Sequence, residues 1–172
     1  ELFPIEQIFI EWVEANSRFA IALIPVFAFS EAFTGIGLVV SGLFLLVVST
    51  SVYVNELAGI EAIVLLAFVG AFLGDQLGHS VGHWVGPGFH RTGMARRYQP
   101  SIAKAELLIR RYGPAAIFIG RFVPAIRSLI PAMLGVSGFG RIRYLVLDAL
   151  ACTLWALALG AIVMGLDKSF MG

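Results

Sequence analysis

The chain has 172 residues, of which 59% are hydrophobic and 13% are charged, and its mean hydropathy is +0.90. This composition excludes an ordinary soluble domain and predicts an all-α integral membrane protein. With a single cysteine the chain has no internal disulfide framework. With a net charge of only +1, we expect no nucleic-acid partner.

Residues 1–18 place apolar side chains near one helical stripe and glutamates mostly elsewhere. The pattern is typical of an amphipathic helix, which lies either in the membrane interface, as Trp12 favours, or on the surface of the protein itself. Because no basic leader precedes an apolar core, we expect a processed start rather than a signal peptide.

From Phe19 to Val54 the chain carries one charged residue, Glu31. This stretch is too long for one membrane span of about 20 residues and short for two, so it predicts a re-entrant helical hairpin. Small and polar residues beside Glu31 mark the tip of this predicted hairpin. Glu31 is either a structural acid held by backbone donors or a functional acid, and the desolvation of a buried carboxylate favours function.

Residues 62–86 predict a membrane-spanning helix with a stripe of glycines at intervals of four, at positions 70, 74, 78, 82 and 86. Such a stripe lets a second helix approach closely. Beside it, Asp75, His79 and His83 share a helical face. They could form a metal site, a proton-responsive cluster or a set of polar packing residues; no fourth ligand is visible, and we expect no metal.

Residues 87–113 are polar and basic. Ser101 to Gly113 predicts an amphipathic helix with Ser101 as its N-cap and Gly113 with Pro114 as its stop. This helix lies either on an anionic membrane surface or with its charged face in water.

The segment from Gly120 to Gly138 holds Arg121 and Arg127 in otherwise apolar sequence. A charge at the bilayer centre costs about 2.5–3.5 kcal/mol or more, so these side chains should face a cavity or a partner. Pro124 and Pro131 each remove a helical hydrogen bond and predict helix breaks, which are tolerated at this depth only where they are buried or line a cavity.

Tyr144 to Leu166 is long and apolar enough to span the membrane and carries one charged residue, Asp148. Cys152 in the same run is expected to be a small packing residue.

The order of amphipathic helix, hairpin and spanning helix occurs twice. Val40–Gly42 matches Val136–Gly138, and Glu31 and Arg127 each precede the final glycine of these motifs by the same number of residues. We therefore predict a single membrane domain, 1–172, with inverted repeats at about 1–90 and 98–168. Inversion would bring the hairpin tips together and make Glu31 the counter-charge of Arg121 or Arg127.

Eight of the twelve basic residues lie in the stretches 91–111 and 141–143, whereas the segments 1–18 and 55–61 are acidic. The positive-inside rule makes the basic stretches cytoplasmic.

The segments GDQLGHSVGHWVG (74–86) and RYGPAAIFIGRFVPAIRSLIPAMLGVSG (111–138) resemble the DedA family, whose members share the VTT domain. The resemblance implies opposed re-entrant hairpins with essential acidic and arginine residues, and in bacteria the recycling of undecaprenyl phosphate across the inner membrane. By position, Glu31 is similar to the first-hairpin acid, Asp75 to the family's glycine-aspartate helix start, and Arg121 and Arg127 to the second-hairpin arginines. Ser41 stands where many relatives have proline, and no second acid lies nearby.

These observations together predict a multi-pass flippase of the bacterial inner membrane for a polyprenyl phosphate, and not an enzyme. Arg121 and Arg127 would bind the phosphate, Glu31 and Asp75 would serve as counter-charges or couple transport to protons, and His79, His83 and Asp148 would be accessory residues. The expected partners are the lipid phosphate, membrane lipids and protons, without a cofactor; a homo-oligomer is left open. The alternatives are a phospholipid scramblase, a proton-driven exporter of small cations, a structural membrane protein and a lipid phosphatase.

Overall fold

A computed structural model describes residues 17–34, 36–37, 42–124 and 126–171. Throughout these ranges the chain forms helices and turns without a β-strand, which confirms the all-α prediction. The expected helix over residues 1–18 lies outside the described residues except at its last two positions. The helices, in chain order, are α1 (Ser17–Ala32), α2 (Gly42–Val54), α3 (Ile60–Val85), α4 (Gly93–Arg97), α5 (Gln99–Tyr112), α6 (Ala116–Arg121), α7 (Leu129–Val136) and α8 (Arg141–Met171).

Helices α3 and α8 are long and apolar enough to cross a membrane. At about 1.5 Å per residue, their 26 and 31 residues exceed the bilayer's hydrocarbon thickness of about 30 Å. They are antiparallel neighbours, because Gly160 packs near Val64 whereas the ring of Tyr144 stacks on that of His79. The basic stretches 91–111 and 141–143 therefore lie at one end of the molecule, which we call the basic end.

The other apolar helices are shorter. Helices α1 and α2 have 16 and 13 residues, and α6 and α7 have only 6 and 8. Since 8 residues extend about 12 Å, neither α6 nor α7 can cross a bilayer. The segment 116–136 instead leaves the basic end and returns to it.

We call the part of the chain that holds α1 and α2, and the segment 116–136 that holds α6 and α7, the two short-helix segments. Their tips meet beside α3. The Thr34 hydroxyl, just after α1, donates a hydrogen bond to the carbonyl of Ser128, just before α7. Both groups are buried. The meeting point is therefore a polar contact inside an apolar bundle, and it places the side chains of both tips at the same depth.

The predicted glycine stripe makes these close approaches possible at four of its five positions. A Cβ atom on any of the four would come within 3 Å of a neighbouring helix or tip: Gly70 faces Pro25, Gly74 faces Phe29 and Ala32, Gly78 faces Thr34, and Gly82 faces Ala132. The fifth position was predicted wrongly. Gly86 has nothing within 4 Å and instead ends α3 with a φ of 55°, a conformation that glycine adopts readily.

Two predicted helix boundaries are also wrong. Pro131 does not break a helix: it lies in the first turn of α7, where its missing N–H has no intrahelical partner to lose. The break occupies residues 122–128 and includes Pro124. Ser101 is not the N-cap of α5, which begins two residues earlier with Tyr98 at the cap position and a proline in its first turn.

The glycine packing can be tested with Gly82→Ala. The added Cβ would lie 2.1 Å from the Ala132 carbonyl oxygen, so α3 and α7 must separate, and we expect a loss of about 1–3 kcal/mol in the free energy of unfolding. Gly93→Ala is the matched control, because nothing lies within 4 Å of that position. Thermal unfolding in detergent should show a lower Tm for Gly82→Ala alone; equal Tm values for the two variants would contradict the assigned helix contact.

Candidate functional site

Arg121 lies at the end of α6 and points between the two spanning helices. Its Nη1 donates to the Asp75 carboxylate on α3 and lies 3.6 Å from Oδ1 of Asp148 on α8. All three residues are buried. Because an unpaired charge is so costly here, the two acids fix the arginine and join α6 to both spanning helices.

The second arginine has a different partner. Nη1 of Arg127 lies 2.5 Å from Oε1 of Glu31, and both side chains are about nine-tenths buried. The sequence predicted either Arg121 or Arg127 as the counter-charge of Glu31, and in the structure Arg127 is the one in contact. It joins the tips of the two short-helix segments across the interior of the protein.

The Glu31–Arg127 pair leaves hydrogen-bonding capacity unused. Oε2 of Glu31 and Nη2 of Arg127 are both buried and have no hydrogen-bond partner among the residues that the structure describes. Buried polar groups in native proteins are nearly always satisfied, so such an exception calls for an explanation. A ligand bound beside the pair would supply the missing hydrogen-bond partners.

Trp155 connects the two arginines. The guanidinium carbons of Arg121 and Arg127 lie 5.2 and 5.1 Å from the centre of its ring, within cation–π distance. The sequence analysis did not place Trp155 in the site. The available signal was spacing: Asp148, Cys152 and Trp155 fall on one face of α8 at helical intervals.

Other polar groups complete the Asp75–Asp148 cluster. Nε2 of Gln76 donates to Oδ2 of Asp148 over 2.8 Å, and Sγ of Cys152 lies 3.7 Å from a carboxylate oxygen of each aspartate. The buried Cys152 thus packs, as expected, but its neighbours are polar.

The cluster resembles a metal site in its donors only. Potential ligand atoms of Asp75, Asp148 and Cys152 lie within 4.8 Å of one another. The Arg121 guanidinium already contacts Asp75 there and supplies one positive charge to the two carboxylates.

The three residues Asp75, His79 and His83, which the sequence places on one helical face, separate in the structure. The His79 ring is buried, stacks on Tyr144 at 4.2 Å between centroids, and has Nε2 3.1 Å from the Phe139 carbonyl oxygen. His83 is exposed one turn further along α3. Of these three residues only Asp75 contacts Arg121. Asp148, which the sequence suggested only as an accessory residue, also lies beside Arg121.

A cleft of about 360 Å³ opens between α2 and α8 beside these charges. Glu31, Arg121 and Arg127 line its inner end. Apolar side chains form the rest, chiefly Leu43, Leu45, Leu46, Phe122, Pro124, Trp155, Leu159 and Ile162. Leu43, Phe122 and Ile162 are more than half exposed, as lipid-facing side chains are. The cleft therefore leads from the lipid side of the bundle to two buried arginines.

The Glu31–Arg127 contact can be tested by a double-mutant cycle. Glu31→Gln and Arg127→Gln should each lower the free energy of unfolding by about 3 kcal/mol, because each leaves a buried charge unpaired. The double variant should lose clearly less than the sum of the two.

The exposed pair His90–Glu106, at 3.4 Å, is the control, and its cycle should give a coupling of about 1 kcal/mol or less. Strictly additive losses for Glu31 and Arg127, measured by denaturant unfolding in micelles, would count against the pair.

Comparison with known proteins places this geometry in a family. The family profile described as the VTT domain matches residues 20–164. The inner membrane protein YqjA of Escherichia coli K12 is 32% identical over 66 residues, and the YqjA protein of Shigella flexneri matches equally well. Each alignment covers 38% of this chain and 30% of the relative, so the chain matches less than a third of the length of these curated relatives.

No solved structure matches the chain. The family match covers all the described site residues: Glu31, Asp75, Arg121, Arg127, Asp148 and Trp155. On this evidence the chain is a membrane protein that belongs to the VTT domain family, the DedA family expected from its sequence.

Proposed function

We propose that this protein moves a polyprenyl phosphate lipid, with undecaprenyl phosphate as its principal substrate, between the leaflets of a bacterial inner membrane. The observation that carries the proposal is the cleft between α2 and α8, whose walls are apolar and whose inner end holds Arg121 and Arg127. An amphiphile with an anionic head and a hydrocarbon tail has the matching chemistry.

Arg127 is the residue best placed to bind the phosphate. It contacts one carboxylate and has a free Nη2, whereas Arg121 is held by two aspartates. A guanidinium can hold a phosphate through two parallel hydrogen bonds. The phosphate would replace Glu31, so that Arg127 exchanges one anion for another and is never left bare in the membrane.

The lipid would enter sideways. Its tail would remain in the bilayer along Leu43 and Ile162 while the head group passes inward, since the exposed walls of the cleft are apolar. Only the phosphate then leaves the interface, and the arginine end of the cleft replaces the water that it loses.

The two-hairpin arrangement suggests how both leaflets would be served. We propose that the repeats 1–90 and 98–168 are related by inversion, so that rocking one hairpin against the other exposes the paired tips to either side. The basic stretches 91–111 and 141–143 would face the cytoplasm under the positive-inside rule. Protonation of Glu31 would weaken its hold on Arg127 and so couple the exchange to protons.

Two other functions share parts of this site. A phospholipid scramblase would use the same cleft with less selectivity for the head group. An exporter of small cations would need an acidic site free of arginine, and the buried carboxylates described here all contact one. Transport rather than catalysis is proposed because the described cleft residues include no nucleophile with an adjacent base.

The test is a flipping assay in proteoliposomes with a fluorescent short-chain polyprenyl phosphate. Arg127→Ala should lower the rate by about 100-fold, the loss of roughly two charge-assisted hydrogen bonds. Arg127→Lys should recover only part of that rate, because lysine keeps the charge but not the planar fork. Arg143→Ala, which removes an exposed arginine at the basic end, should transport normally.

A normal rate for Arg127→Ala would overturn the site assignment, and full rescue by lysine would show that a point charge suffices. Fluorescent phosphatidylcholine in parallel vesicles distinguishes the second function. Equal movement of both lipids would favour a scramblase.

A further inference from the structure

A column of polar side chains leads away from the arginine site toward the basic end. On α3 the column consists of Asp75 and His79, and on α8 of Asp148 and Tyr144, each pair one helical turn apart. The two helices face each other at this column, because His79 stacks on Tyr144 and Cys152 lies within 3.7 Å of both aspartates. The column is fully buried.

The charges at this site do not balance. Among the described residues, three carboxylates (Glu31, Asp75, Asp148) lie with two arginines (Arg121, Arg127), so full ionisation leaves one negative charge in excess. An uncompensated buried charge is so costly that the group takes up a proton instead. One proton must therefore reside in the column, on the aspartate pair or on His79.

The contacts favour the Asp75–Asp148 pair, rather than Glu31, as the position of that proton. Glu31 has an arginine within 2.5 Å to itself, whereas Asp75 and Asp148 share Arg121 and lie against each other. Two carboxylates that share a site cannot both ionise easily. Gln76 and Cys152 are the other polar groups against Asp148.

The Tyr144 hydroxyl is the unexplained group in the column. It is buried and has no hydrogen-bond partner within the described part of the chain. Tyrosine hydroxyls that are buried usually find one. Its ring stacks on His79, and Asp148 lies one turn further along α8, so the tyrosine side chain lies on the face of α8 that carries Asp148 and meets His79.

The far end of the column reaches a second cavity. About 270 Å³ of space at the basic end is lined by His79, His83, Ser80, Arg141 and the loop 138–140. His83 and Arg141 are exposed, so water reaches this cavity from the basic end. The lipid cleft opens elsewhere, between α2 and α8, and shares no lining residue with it.

We propose that protons reach the Asp75–Asp148 pair from the basic end through His79 and Tyr144, by a route separate from the lipid cleft. Protonated His79 gives a proton to the Tyr144 hydroxyl across one water, and the hydroxyl passes its own proton across a second water to Asp148. The step leaves neutral His79, neutral Asp148 and an unchanged tyrosine, and His79 is reprotonated from the cavity. His83, Arg141 and the Phe139 carbonyl face His79 and complete its surroundings.

The existence of this path does not require a lipid, and only its use in transport rests on the proposed function. The test therefore uses the lipid-free protein in nanodiscs and measures infrared absorption. A protonated carboxyl group has a carbonyl-stretch band that shifts when its proton is replaced by deuterium. Asp148→Asn should remove the band. The Glu31→Gln/Arg127→Gln double variant removes one charge of each sign, keeps the excess of one carboxylate, and should leave the band in place.

The rate of the deuterium shift reports on the path. Tyr144→Phe and His79→Gln should each slow it by about tenfold or more, since each removes a proton-transfer group. Tyr53→Phe, at the end of α2 remote from the column, is the control and should exchange like the wild type. Thermal unfolding checks that each variant is folded, and the two column variants provide independent readings.

Absence of the band, or its loss in the Glu31→Gln/Arg127→Gln double variant rather than in Asp148→Asn, would overturn the assignment of the proton. Wild-type exchange rates in a folded Tyr144→Phe or His79→Gln protein would overturn the route. Neither result would change the expected outcome of the flipping assay. Conversely, failure of the flipping assay would not affect the assignment of the column and its proton.

Discussion

The pairing of Arg127 with Glu31 is the contact on which the two halves of this structure depend. In a bilayer an unpaired charge on either side chain would be costly, and each side chain lies near the tip of its helical segment. The 2.5 Å contact, with the buried Thr34–Ser128 hydrogen bond beside it, brings the tips together at the depth of Asp75. The glycines of α3 then allow the surrounding helices to close around the tips, because larger residues would hold them apart.

The two arginines have different surroundings, and this difference organises the functional proposal. Arg121 contacts Asp75 and Asp148 and so joins α6 to α3 and α8, whereas Arg127 contacts one carboxylate, that of Glu31. Trp155 lies against both and keeps them at the end of the same cleft. A site built in this way can admit an anion without first creating an unpaired cation. The same charges include one carboxylate in excess, which is the basis for the proton proposed at the Asp75–Asp148 pair.

Much of this arrangement could be predicted from residue types alone. A lone glutamate in an apolar run and two arginines among prolines indicate buried ion pairs, but the sequence left open whether Glu31 would meet Arg121 or Arg127. The sequence could not assign Asp75 and Asp148 to Arg121, because that contact depends on how α3 and α8 pack rather than on any local pattern. Trp155 was missed for the same reason. His83 shares a face with Asp75 by periodicity, yet its position one turn beyond His79 exposes it. Pro131 shows the limit of a residue rule, since the same proline that breaks a helix interior is accommodated in a first turn.

The central claim is that a lipid phosphate takes the place of Glu31 on Arg127. Solid-state NMR can measure this directly as the dipolar coupling between phosphorus of a bound polyprenyl phosphate and guanidinium nitrogens of arginine in membranes. The account predicts a coupling at hydrogen-bonding distance in the wild type, its retention in the Arg143→Ala protein, and its loss in Arg127→Lys when only arginine is isotope-labelled. Bound lipid that shows no coupling to any arginine, or the same coupling in Arg127→Lys, would contradict it.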